Sequence, residues 1–215
     1  MSFVLSGQTR ETSGLSDQAP GPWGGGPGAF FMFNPTDLEL HCSDCATSKL
    51  LTYMATLLNL VSKGVLEQVE VALDGDSLPQ RSIYALPCVI SWLDEELPEL
   101  PPQWGEGRQS PLEQVDFLFS EFISGSNVAH WKFCHIMKPE PGFHHIWELK
   151  TADVRFFGWF PKKDVFVIAQ AGSAKVIKDH GLYRAMRDVC VQLRERLDLD
   201  GPKAIAGGYE DVLST

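Results

Sequence analysis

Lysine and arginine are scarce in the first half of this 215-residue chain. Residues 1–110 carry 5 of them against 14 aspartates and glutamates, a net of −9; residues 111–215 carry 13 against 14, a net of −1. Nucleic-acid binding needs cations to neutralise phosphate, which excludes the acidic half as such a surface. Cysteine is sparse as well, and five in this length do not make a disulfide scaffold. No apolar run approaches the roughly 20 residues that span a bilayer. No basic start followed by an apolar core stands near Met1, so no signal peptide is expected and cytoplasmic synthesis is the default. A second Cys-x-x-Cys is also missing.

What is present begins with a Gly/Pro-rich arm. Residues 1–28 end in Pro20-Gly-Pro-Trp-Gly-Gly-Gly-Pro-Gly28. Glycine leaves the backbone free and proline blocks regular pairing, so this stretch nucleates neither a helix nor a central strand. Trp23, Phe30, Phe31 and Phe33 are its candidate anchors on a partner or on its own domain.

The chain then turns on Asp37-Leu-Glu-Leu-His41-Cys42-Ser-Asp-Cys45. A short alternating strand runs into a thiol pair, and the second cysteine opens an amphipathic segment to about Val65. Leu50, Met54, Leu57, Leu58, Val61 and Val65 share one helical face, and Gly64 marks its stop. A helix N-terminus favours thiolate over thiol, while Asp44 opposes it by like charge. Val69, Val71 and Leu73 alternate as a strand. Ile83 to Trp92 reads as a second β-rich run, interrupted by Pro87.

These features together resemble the thioredoxin/glutaredoxin family over about residues 34–92. That resemblance implies Cys42 as the attacking thiol, Cys45 as the resolving thiol and Pro87 as a cis-proline heading a strand. It departs from the family at His41, Asp44 and Cys88. An inert or disulfide-bonded pair is an equal alternative. A zinc site there would need His41 or Cys88, with Cys134 or His135, to complete its ligands. No cofactor and no metal is expected.

Residues 94–107 read as an acidic, Pro-rich linker. The next helix has a clear start: Ser110 as N-cap, Pro111 at the first position and Glu113 completing a capping box. Val115, Leu118, Phe119 and Phe122 form its apolar stripe, and Gly125 ends it. Three strand-like runs follow, 145–150, 154–160 and 165–169, with Pro161-Lys-Lys-Asp164 as a hairpin turn. A last helix runs from about Gly181 to Leu197. It is expected to bury Tyr183, Met186, Cys190, Leu193 and Leu197, and to expose most of Arg184, Arg187, Arg194 and Arg196.

Trp147-Glu-Leu-Lys150, Val154-Arg155-Phe-Phe, the hairpin and Lys175 to Lys178 resemble the RelE/HigB toxin superfamily, which includes phage-derived members, over about residues 110–198. That resemblance implies messenger-RNA cleavage on the ribosome. The candidate residues are Arg155, Lys178 and Tyr183, with Lys150 and His180 beside them. This half is near neutral where such toxins are basic, and the paired lysines are split into Lys175 and Lys178. An ion pair with Glu148 is the plainer account of Arg155. His144 and His145 point to opposite faces of a strand entry, so only one joins any given site.

The expected fold is α+β: a thioredoxin-like module at 29–109, then a RelE-like antiparallel sheet with flanking helices at 110–215. The expected function is a non-catalytic interaction or assembly protein of phage or mobile-element origin, whose arm binds neighbouring subunits. Virion association would follow from that origin. A thiol–disulfide oxidoreductase and a RelE/HigB-like endoribonuclease acting on RNA at the ribosome are the alternatives. No membrane partner is expected.

Overall fold

The computed structural model describes residues 57–73, 78–102, 109–126, the backbone of 133–134, 145–199 and 202–214. The arm, Cys42 and Cys45 lie outside the described residues.

A six-stranded mixed sheet organises the chain. Its strands are β1 (Glu67–Val69), β2 (Ser82–Ala85), β3 (Phe133–Cys134), β4 (Trp147–Lys150), β5 (Val154–Lys162) and β6 (Val165–Ser173). The order across the sheet is β1-β2-β6-β5-β4-β3. β4, β5 and β6 form an antiparallel meander, and β2 runs parallel to β6 with Ile83 opposite Phe166. The general α+β class stands. Strands from both sides of the expected 109/110 boundary build this single sheet.

Both faces of the sheet are covered. Helix α1 is Leu57–Ser62, α2 is Pro87–Glu95 and α3 is Pro111–Ile123; α4 (Ala174–Asp179) and α5 (Tyr183–Arg196) follow β6. On β5, Phe156 meets Trp92 of α2 and Phe119 of α3, with ring centroids 6.3 and 5.0 Å away. Its neighbour Phe157 meets Tyr183 of α5 at 5.9 Å. Adjacent strand residues point to opposite faces. So α2 and α3 cover one face, and α5 covers the other. β5 and β6 are therefore buried on both sides, which explains their near-continuous apolar sequences.

The α3 start forms as its sequence specifies. Glu113 N donates to Ser110 Oγ at 3.2 Å, and Ser110 N donates to a Glu113 carboxylate oxygen at 2.7 Å. Gly125 closes the helix in the left-handed region, at φ 80°. The Pro161–Asp164 turn is tighter than expected. β5 continues through Lys162, Lys162 pairs with Val165, and Asp164 takes a φ of 63°.

Several expectations are corrected. The run from Ile83 to Trp92 is not one strand: β2 ends at Ala85 and Pro87 opens α2. Proline is well suited to a first helical position, because the N–H it lacks has no partner there. Cis peptide bonds are absent among the described residues, so Pro87 is neither cis nor the head of a strand. The stretch read as a linker instead holds a 3-10 turn, Leu97–Glu99, with Leu97 fully buried. Lys175 and Lys178 sit on α4, a short helix the sequence reading lacked. Arg187 and Arg194, expected to face solvent, are buried.

Candidate functional site

The α5-facing side of the sheet gathers its polar residues. Arg155 lies opposite Lys150, and Glu148 lies opposite Phe157. Directly opposed residues share a face. That register sets Glu148 diagonally from Arg155, with 3.0 Å between Arg155 Nε and Glu148 Oε1. Both side chains are about nine-tenths buried. The Arg155 guanidinium also donates to the carbonyls of Thr151 and Val154. The β4–β5 turn that carries Thr151 is itself tied to α3, because Gln114 Nε2 donates to Asp153 Oδ2 at 2.8 Å.

Further along the same face, Gln170 lies opposite Phe157 and donates to Ala169 O at 2.8 Å. Gln170 is a residue that sequence reasoning missed. Its signal was a lone amide in an apolar strand. Trp159 lies two residues beyond Phe157 and is fully buried, and its indole N–H has no acceptor among the described residues.

Tyr183 opens α5, half-buried, with its ring edge-on to Phe157. Lys178 is exposed near the end of α4, and His180 is exposed on the turn between α4 and α5. Gly181 closes α4 at φ 62°, with Leu182 N donating to Ile177 O at 2.9 Å. The structure thus brings Arg155 and Tyr183 to one face through Phe157, while Lys178 is exposed on α4. Lys175 is paired with Asp179 at 2.6 Å.

The two buried arginines of α5 are neutralised locally. Arg187 donates to Asp188 at 2.7 Å, and Arg194 lies 3.1 Å from Glu195.

Two thiols are described. Cys88 sits one residue after Pro87 in the first turn of α2, half-buried. Burial pushes its thiol up, and the backbone N–H groups of Val89 and Cys88 pull it partly back. Cys190 is buried on α5. Burial drives its thiol far above the ordinary range, against the pull of the Arg194 charge. Neither is the activated thiolate a redox enzyme presents. Among the described residues, no group of three or more His, Cys, Asp or Glu is placed to hold a metal ion. Among the described residues, no helix is long and apolar enough to cross a membrane.

In comparisons with known proteins, no family model, no curated protein and no solved structure matches this chain.

Proposed function

We propose that this chain is a non-catalytic interaction or assembly protein, of phage or mobile-element origin. Its body would be a RelE-like sheet used as a scaffold, and residues 1–28 would join it to neighbouring subunits. The observation that carries this reading is the state of Arg155. Its guanidinium is buried, paired with Glu148 and hydrogen-bonded to two carbonyls. A residue that grips phosphate in a ribonuclease must present those donors outward. Here one guanidinium nitrogen is spent on two carbonyls and the charge faces Glu148 inside the fold.

Two measurements test the reading. The purified full chain is mixed with messenger RNA and ribosomes, and the RNA is expected to stay intact. The mass of the assembly formed by the full chain is compared with that of a chain lacking residues 1–28, by light scattering. The shortened chain is expected to be folded and monomeric. Association that survives the truncation overturns the role of the arm.

The endoribonuclease reading has one observation in its favour. Tyr183 and Arg155 share the α5-facing side, with Lys178 exposed near the end of α4. On that reading, expression halts growth and Tyr183→Phe restores it. Harmless expression of the native chain excludes it.

A further inference from the structure

Residues 202–214 are fastened to the rest of the protein at widely spaced points. Ile205 N donates to Phe160 O at 2.8 Å, and Val212 O accepts from Asp164 N at 2.9 Å. Lys163 Nζ donates to Glu210 O at 3.0 Å. Val212 and Leu213 are fully buried. Between these points lies only a one-turn helix, α6 (Tyr209–Val212). A helix that short does not persist without docking. Its turn is closed by Gly208 N, which donates to Asp211 Oδ2 at 2.7 Å. Gly207 has a φ of 149°, and a Cβ there would come within 2.2 Å of the same oxygen.

The far end of the segment meets one buried cation. Arg81 donates through Nη2 to Ser214 O at 2.7 Å and through Nη1 to Ser126 O at 2.9 Å. Its Nε lies 3.3 Å from Asp164 Oδ1, and its guanidinium sits 5.7 Å over the Phe122 ring. Asp164 in turn accepts from Ser214 N at 2.8 Å and from the Ser214 hydroxyl. Ser126 lies just past α3, and its N–H closes that helix on Glu121 O at 3.1 Å. One guanidinium therefore joins the end of the segment, the hairpin turn and the end of α3.

We propose that residues 202–214 form a strap that opens and closes as one unit at the β5–β6 hairpin, and that Arg81 couples its position to the C-terminal turn of α3. The strap opens as a unit because its helix and its buried pair exist only when docked. Opening withdraws Ser214 O from the guanidinium and both Ser214 donors from Asp164. Arg81 then loses part of what fixes it against Ser126 O. Such coupling is reciprocal, so loosening the α3 end loosens the strap.

Amide hydrogen exchange on the full chain tests this. Gly207→Ala disturbs the strap without touching Arg81. Gly125→Ala disturbs the α3 end, where a Cβ would meet the Gln80 side chain at 2.3 Å. Asp164→Asn weakens the hub, and asparagine tolerates the left-handed φ found there. Each variant is expected to speed exchange at Ile205, Leu213 and Ser214 and also at Gly125 and Ser126, by about two- to tenfold, the equivalent of one net hydrogen bond. The β5–β6 amides should stay unchanged. If Gly207→Ala loosens the strap but not the α3 end, the coupling is wrong. If the sheet amides speed up together with the strap, or if all three variants are silent, no separate strap exists.

Discussion

Arg155 Nε and Glu148 Oε1 lie 3.0 Å apart across β5 and β4, both about nine-tenths buried. A buried pair of this kind is weak grounds for stability in itself, because desolvation offsets most of the attraction. Breaking it is another matter. Glu148→Leu leaves a buried guanidinium without its carboxylate and is expected to cost about 3–5 kcal/mol. The double variant Glu148→Leu with Arg155→Met should cost much less than the two single changes summed. Urea unfolding of all four proteins closes the cycle. Simple additivity would show that the two residues do not interact.

Trp159 offers the opposite case. Its buried indole N–H has no acceptor among the described residues, and an unmade bond of that kind costs about 1–3 kcal/mol. Trp159→Phe removes the donor and leaves a smaller ring. The expected net change in unfolding free energy is below about 1 kcal/mol, with the lost packing offset by the lost penalty. A loss above about 2 kcal/mol would point to an acceptor for that N–H.

Gly158 lies where the β5–β6 register slips. Phe157 pairs with Gln170 and Gly158 with Ile168, so β6 holds Ala169 as an extra residue. A Cβ on Gly158 would come within 1.9 Å of Val167 O, a backbone atom that cannot swing aside. Gly158→Ala should destabilise by at least the roughly 1–3 kcal/mol typical of overpacking. Thermal unfolding reads this directly, and an unchanged midpoint would mean that the bulge relaxes freely.

The pH dependence has two edges. Partial burial raises the Asp164 carboxyl, but hydrogen bonds from Ser214 and the Arg81 charge outweigh it and hold the group below its ordinary value. Its contribution is therefore present above the unfolded carboxylate value of about 3.9 and lost as pH falls through the lower folded value. Cys190 is shifted the other way, upward by burial. Its contribution is complete below the unfolded thiol value of about 8.5 and declines as pH rises from there toward the folded value. Asp164→Asn should shrink the acid edge, and Cys190→Ala the alkaline one, to which the raised Cys88 thiol also contributes. Iodoacetamide at pH 7 should leave Cys190 unmodified until the protein unfolds.

The local signals were legible in the sequence. Ser110, Pro111 and Glu113 specify their own helix start, because a capping box closes within four residues. The hairpin of β5 and β6 follows from two apolar runs around the Pro161–Asp164 turn, and the inward stripe of Met186, Cys190 and Leu193 from helical periodicity. Tertiary structure decided the rest. Pro87 could break a strand or open a helix, and the packing of Val89, Ile90, Trp92 and Leu93 against the core selects the helix. The parallel pairing of β2 with β6 joins residues some 80 positions apart, as in Ser82 with Val165, and no local pattern encodes such a partner. The inward turn of Arg187 and Arg194 has the same origin. Charge argued for solvent, but each buried guanidinium keeps an acidic neighbour on its own helix. Nearby residues fix where elements begin and end. Which elements meet is settled by burial of surface that only the assembled sheet provides.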